Sequence, residues 1–372
     1  MKRQMQFTLG EFTTRLSLHE DGAELLKNLG NPLLLICDEN TLNLIHSHGL
    51  LPPGTEMPEI RSGEDLQGLS ETSLPSPETP RAAVVLPSGE SGKTLANVEL
   101  ILKTAFSLGF ARDSCFVGLG GGVVTDIAAF ASSLFMRGNR LVLIPTTLLA
   151  MVDAAFGGKT GINYHGYKNM VGSFYPAEQL RVYPGFLKDL PRREYLSGLA
   201  EVIKSAMLDD AELFAFMEEQ STPILNREPG ALEYIIWKSL MVKGRVVLAD
   251  LREGGLRAQL NLGHTFAHAL EAVSGFGLWS HGEAVAWGLL RALELGRVLE
   301  ITPDSYISRV EALLGTYSYR LDSSGCAPEQ LISAMKNDKK KKGGKVGFIL
   351  QRNLCETLQR PVEDADVLKV LN

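Results

Sequence analysis

Residues 114–136 read SCFVGLGGGVVTDIAAFASSLFM. The first part, SCFVGLG, is a short apolar run ending in glycine; from Val123 onward the apolar residues fall at helical spacing. Between them Gly120, Gly121 and Gly122 permit a turn tight enough to pass from a strand straight into a helix. Strand, glycine turn and helix together open a βαβ unit. The glycines also let the backbone approach a ligand closely, and the start of a helix offers unpaired N–H groups to a phosphate. Val123 stands where a G-x-G-x-x-G pattern would place its last glycine. On this stretch alone a nucleotide-binding loop and a plain tight turn both remain open.

The same alternation extends on both sides. PLLLICDEN (32–40), AAVVLPSGE (82–90) and LVLIPTTLL (141–149) are short apolar runs with polar ends, separated by helical patterns such as TLANVELILKTAFSLGF (94–110). Such alternation predicts a mainly parallel sheet with ligand residues at the carboxyl ends of the strands. Asp38 and Asn40 end one run, suited to ribose hydroxyls, and Glu90 and Lys93 follow another. Residues 52–80, rich in Pro, Ser, Gly and Glu, read as a long surface loop with one short strand. From residue 183 the periodicity turns helical, and no alternating strand is evident before KVGFILQ (345–351). The chain thus reads as an α/β domain over 1–182 followed by a mainly α-helical domain over 183–372, a division that 372 residues also favour.

Composition narrows the function. A net charge of −6 argues against binding nucleic acid through the overall field. Cys37, Cys115, Cys326 and Cys355 show no C-x-x-C spacing, so neither a disulfide framework nor a thiolate zinc site follows, and a reducing cytoplasm fits. The N-terminus lacks the apolar stretch of a secretory signal, and no run approaches the ~18 apolar residues of a membrane helix. A cytosolic protein with no membrane association is expected.

Two segments carry chemistry. In 145–176, Asp153, Lys159, Asn163, Lys168 and Asn169 interrupt an apolar, glycine-rich stretch. A solvated loop explains the charges but not their apolar company; lysines there imply an anionic ligand, phosphate or carboxylate. In 261–288 stand three of the seven histidines, His264, His268 and His281. His264 and His268 share one helical face. Each reads as a hydrogen-bonded core histidine or as part of a metal or proton-transfer site. Histidines alone do not complete a metal shell here, so a carboxylate must come from elsewhere.

The motifs GGGVVTD, PTTLLAMVD, GGKTGIN, KNMVGSFYP, GLAEVIK, EGGLRAQLNLGHTFAHALE and HGEAVAWG occur between about residues 85 and 290. Their order and spacing resemble those of the 3-dehydroquinate synthase family. The resemblance implies an N-terminal Rossmann-like NAD-binding domain, a C-terminal helical metal-binding domain, and a homodimer with its active site in the interdomain cleft. It puts the metal shell, for Zn²⁺ or Co²⁺, on Glu201, His264 and His281, and makes His268 a proton-transfer group. It puts NAD contacts on Asp38, Asn40, Glu90, Lys93, Gly121, Gly122, Val123, Asp126, Thr146, Thr147 and Lys168, with Asp153 near the nicotinamide. It gives the substrate phosphate to Lys159, Asn169 and Asn261, with Arg137 reaching in from the partner subunit. Without the resemblance, Arg137 reads as a surface arginine at a helix C-terminus. Lys204, Lys243 and Arg257 are assigned to the substrate's hydroxyls and carboxylate, joined by Lys339 or Lys340. The chain departs from the family pattern at Ala154, Ala155, Tyr167 and Leu251.

The implied reaction converts 3-deoxy-D-arabino-heptulosonate 7-phosphate to 3-dehydroquinate and phosphate, in the shikimate route to aromatic amino acids. Its steps are transient oxidation by NAD, β-elimination of phosphate, reduction and intramolecular aldol closure. Alternatives are a related sugar-phosphate cyclase such as an epi-valiolone synthase, an NAD- and metal-dependent polyol dehydrogenase, and an inactive NAD-binding scaffold.

Overall fold

The computed structural model describes residues 2–371 except 31, 53, 54, 56, 67–81, 166, 276, 277, 323, 324 and 341–346. It divides into two compact units, Met1–Leu190 and Pro191–Asn372.

In the first unit the elements run β1 (Arg3–Leu9), β2 (Phe12–Leu18), β3 (Leu33–Asp38), α1 (Glu39–Ser47), β4 (Glu59–Ile60), β5 (Ala82–Leu86), α2 (Leu95–Ser107), β6 (Cys115–Gly120), α3 (Gly122–Leu134), β7 (Arg140–Pro145), β8 (Ile162–Tyr164), β9 (Tyr167–Val171) and β10 (Gln179–Val182). Eight strands form one sheet in the order β1-β2-β10-β7-β6-β3-β5-β4. Every pairing is parallel except β1 with β2. The central strands are buried along almost their whole length. That is why they read as unbroken apolar runs rather than alternating ones. From β3 the chain goes to β5 on one side, then crosses back to place β6 on the other. The carboxyl ends of β3 and β6 therefore flank the point where strand order reverses, the usual ligand crevice of such a sheet.

Helix α3 lies close on β6 because Gly118 and Gly120 carry no side chain. A Cβ on Gly118 would stand 2.8 Å from the Ala128 Cβ, and one on Gly120 2.6 Å from the Val124 Cβ. The short strand expected within 52–80 is β4; residues 67–81 of that segment lie outside the described residues.

The second unit contains α4 (Arg192–Asp209), α5 (Ala211–Glu219), α6 (Ser221–Leu225), α7 (Pro229–Ala249), α8 (His264–Ser274), α9 (His281–Val298), α10 (Asp304–Thr316), α11 (Pro328–Lys340), the antiparallel hairpin β11 (Gly347–Asn353) and β12 (Glu356–Pro361), and α12 (Asp364–Leu371). Helix α9 is apolar almost all round and packs against α4, α8, α10, α12 and β11, as a central helix must. Two contacts are unusually close. A Cβ on Gly282 of α9 would lie 2.3 Å from Ser197 Cα in α4, and one on Gly288 2.3 Å from the carbonyl oxygen of Gly263, the residue before α8. Glycine at 282 and 288 thus brings three helices together near the ends where the functional side chains stand. Among the described residues no helix is long and apolar enough to cross a membrane.

Candidate functional site

In the second unit, Glu201 from the middle of α4 meets the first residues of α8 and α9. Both helix starts are fixed locally. Gly263 enters α8 in the left-handed conformation, at φ 77°. Ser280 and Glu283 form a reciprocal capping box on α9. His281 Nε2 is 3.2 Å from Glu201 Oε1, and His264 Nε2 is 3.5 Å from the same oxygen. One ligand atom from each of Glu201, His264 and His281 falls within 4.8 Å of the others. His264 Nδ1 donates to the Leu262 carbonyl at 3.1 Å; a carbonyl only accepts, so Nδ1 carries the hydrogen and Nε2 faces inward. On the far side of His281, Nδ1 is 3.7 Å from Glu271 Oε1.

The electrostatics suit a cation among these groups. Glu201 is buried, and its Oε2 ion-pairs with Lys204 Nζ, one helical turn away, without accepting a well-directed hydrogen bond. Burial works to raise the Glu201 carboxyl, but Lys204 and the two imidazoles outweigh it and hold the group well below the usual carboxylate range. Burial and then Lys204 push His264 down to about 4. Burial works to lower His281 too, yet hydrogen bonding to Glu201 and Glu271 lifts it to about 10. An ionised carboxylate, a neutral imidazole and a second imidazole bearing a proton toward that carboxylate form a donor set that fits zinc or cobalt, the metal replacing the proton.

Around this centre, the exposed His268 ring lies 5.4 Å from that of His264. Lys243 and Arg257 are buried. The Arg257 loop is organised by Asp250, whose carboxylate accepts from the amides of Gly254 at 2.8 Å, Gly255 at 2.8 Å and Arg257 at 3.0 Å. These backbone bonds, Gly254 first, hold Asp250 below its ordinary value. Arg257 Nη1 donates to the Leu251 carbonyl at 2.6 Å, so position 251 serves through its backbone. Asn261 donates to Glu253 Oε1 at 2.9 Å.

In the first unit, Asp38 caps α1: its carboxylate accepts from Thr41 N at 2.8 Å, and Thr41 Oγ1 also donates to the Leu119 carbonyl at 3.1 Å. That threonine ties the ends of β3 and β6 together. Thr146 N donates to Gly120 O at 3.0 Å. A Cβ on Gly121 would meet Thr147 Cγ2 at 3.2 Å, and one on Gly122 the Ala154 Cβ at 3.3 Å, so position 154 sits against the glycine turn. Asp153 belongs to a wide turn, Ala150–Ala154, closed by Ala155 N on Ala150 O. Turns of this π type are common at functional positions. Buried Lys93 places Nζ 2.5 Å from Asp126 Oδ2 and from Asn169 Oδ1. Asn163 completes the cluster, donating to Glu90 Oε1 at 2.8 Å and accepting from Asn169 N at 3.0 Å.

Two family profiles match the chain: residues 83–197 match the one described as 3-dehydroquinate synthase N-terminal, and residues 198–341 its C-terminal counterpart. The 3-dehydroquinate synthase of Acidithiobacillus ferrooxidans is 42% identical over 289 residues, 78% of this chain and 79% of that protein.

The chain belongs to the 3-dehydroquinate synthase family.

Solved structures agree on the fold. A 2-deoxy-scyllo-inosose synthase complexed with carbaglucose-6-phosphate, NAD⁺ and Co²⁺ superposes with a TM-score of 0.82 at 22% identity, covering 99% of each chain. The 2-epi-5-epi-valiolone synthase of Streptomyces hygroscopicus subsp. jinggangensis 5008, with NAD⁺ and Zn²⁺ bound, gives 0.81 at 24% identity, covering 98% of this chain and 97% of that one.

Among the residues pointed to by the sequence, Glu201, Lys204, His264, His268 and His281 come together. So do Glu90, Lys93, Asp126 and Asn169, and the set Gly121, Gly122, Thr146 and Thr147 at the strand ends. Asn40, Lys159 and Lys168 are exposed, and Val123 is half-buried at the start of α3. Arg137 is exposed three residues beyond the end of α3, at φ 65°. The side chains of Lys339 and Lys340 and all of Lys341 and Lys342 lie outside the described residues. Sequence reasoning gave no role to Glu271 or Asp250, and named Asn163 only as part of the polar run in 145–176. Glu271 had a legible signal, being seven residues after His264 and so on the same face of α8.

Proposed function

We propose that this protein is a cytoplasmic 3-dehydroquinate synthase, acting on 3-deoxy-D-arabino-heptulosonate 7-phosphate as a homodimer, with NAD and a Zn²⁺ or Co²⁺ ion as cofactors. The observation that carries the reading is the convergence of Glu201, His264 and His281, with Lys204 beside them, in a chain 42% identical to a 3-dehydroquinate synthase over most of its length. When bound, the metal would supply Lewis-acid polarisation of a substrate hydroxyl, and NAD a reversible hydride acceptor.

The chain's own groups do the remaining work. Residues 1–182 would hold NAD: Asp38 and Asn40 toward the ribose, Gly121, Gly122 and Val123 at the helix start toward the phosphates, with Glu90, Lys93, Asp126, Thr146, Thr147 and Lys168 around them and Asp153 near the nicotinamide. Residues 183–372 would hold the metal and the substrate carboxylate. Lys243 and Arg257, buried cations, suit a carboxylate, with Lys204 turned toward the hydroxyls. Lys159, Asn169 and Asn261 would bind the phosphate, with Arg137 supplied by the partner subunit. His268, exposed beside the metal ligands, can carry protons to and from solvent.

Phosphate release from the heptulosonate phosphate, followed with and without chelator, tests the proposal. Release that stops with chelator and returns with zinc is expected, without accumulation of free NADH. Accumulating NADH would favour the polyol dehydrogenase, and equal turnover of sedoheptulose 7-phosphate, which lacks the carboxylate, a sister cyclase.

A further inference from the structure

We infer that Glu271 is a positioning residue of the metal centre: its carboxylate holds Nδ1 of His281, so that Nε2 of that ring faces the ion. The inference rests on the metal site proposed above. His264, His268 and Glu271 occupy positions i, i+4 and i+7 of α8 and form one stripe. Both ends of the stripe lie near His281 at the start of α9; the His281 ring is 5.5 Å from that of His264. Glu271 Oε1 lies 3.7 Å from His281 Nδ1, and its side chain is 15% exposed. It stands beyond His281, outside the three-residue ligand cluster.

The two histidine ligands differ in how they are held. His264 has a backbone carbonyl on Nδ1, a fixed acceptor on its own segment. His281, whose side chain is 29% exposed, has the Glu271 carboxylate facing Nδ1 at 3.7 Å, an ion-pair separation that a small rotation of either side chain would close to a hydrogen bond. An acceptor on Nδ1 fixes the tautomer and ring angle, and a charged one makes the other nitrogen a stronger donor to metal. A carboxylate in the last turn of a helix is otherwise unfavourable, because the carbonyl end of the helix dipole is negative. The cost is met by a partner across the helix pair.

The test uses the full-length protein with Glu271→Gln, which keeps an acceptor and loses the charge, and Glu271→Leu, which loses both. Zinc affinity is measured by chelator competition, the visible spectrum is recorded on the Co²⁺ form, and melting is followed on the metal-free form. Glu271→Gln should bind zinc about 10-fold more weakly and Glu271→Leu about 100-fold, with an altered Co²⁺ band and little change in metal-free melting. In a His281→Ala background, Glu271→Gln should lower zinc affinity no further. Wild-type affinity and spectrum in both variants would overturn the inference, as would an equal loss with and without His281. Failure of the underlying metal site looks different: the wild-type protein would then bind no zinc that His264→Ala weakens.

Discussion

Replacing Gly282 by alanine should disable the metal centre without touching a ligand. In an ordinary helix interior, alanine is favoured over glycine by about 1 kcal/mol, so residue preference alone expects stabilisation. The geometry reverses the sign. The new Cβ would stand 2.3 Å from Ser197 Cα and 2.4 Å from its carbonyl oxygen. Carbon atoms rest at about 3.5–4.0 Å, so α9 must withdraw from α4 by more than about 1 Å. Gly282 adjoins His281, and Ser197 lies one turn before Glu201. The displacement therefore acts across the 3.2 Å separation of His281 Nε2 and Glu201 Oε1. Metal–ligand distances tolerate only about 0.2 Å. Overpacking should cost about 1–3 kcal/mol in stability. Zinc affinity should fall by at least the roughly 10–100-fold that follows loss of a supporting contact. Thermal melting, chelator competition for zinc and phosphate release measure these effects. Gly230→Ala is the control, since a Cβ there meets nothing within 4 Å. If Gly282→Ala binds zinc and turns over like the wild-type protein, the close approach of α4 and α9 does not set the site.

Three further outcomes are expected. His264→Ala should lose metal and activity together, whereas His268→Ala should keep its metal and lose about 10²–10⁴-fold in rate; equal metal loss in both would remove His268 from proton transfer. Arg137→Ala and Lys159→Ala should each be nearly inactive. Mixing their subunits should restore activity if each site draws Arg137 from its neighbour, and no recovery would place Arg137 within its own subunit. Cys37 and Cys115, pushed up to about 12 by burial, should resist thiol reagents at pH 8 in the native protein while exposed Cys355 reacts. Their raised values add stability that is complete below the unfolded thiol pKa near 9 and is lost as pH rises toward 12, so a flat denaturant midpoint across that window would contradict the assignment.

The central sheet was legible because β3, β5, β6 and β7 are buried on both faces and read as apolar runs, with clear helical spacing after β5 and β6. Strands β1 and β2 carry little such signal: five of the seven residues of β1 are exposed, and the hairpin turns on Gly10 at φ 65°. Strands β8, β9 and β12 are largely exposed or half-buried and were likewise not anticipated. In the site, His264 and His268 announced themselves by spacing. The carboxylate did not, because Glu201 reaches His281 across 80 residues of chain. That pairing is set by glycines at helix crossings, whose effect no local pattern displays. Asn163 reaches Glu90 across 73 residues for the same reason, and Asp250 acts only on backbone amides, which any sequence supplies.

Strand β9 runs along the surface with four of its five residues exposed, and β8 buries only Ile162 fully. Side-chain bonds among Lys93, Asp126, Asn169, Asn163 and Glu90 help fasten this pair to the rest of its unit, beside buried Ile162 and the bond from Asn163 N to the Lys93 carbonyl. The ion pair among them, Lys93 with Asp126, is largely buried and so little screened by salt. The amides of β8 and β9, on the exposed side of the unit, should still exchange hydrogen with solvent well before those of the buried strands β6 and β7. Lys168 and Asn169 then ride on a segment that can open and reclose while the sheet stays folded.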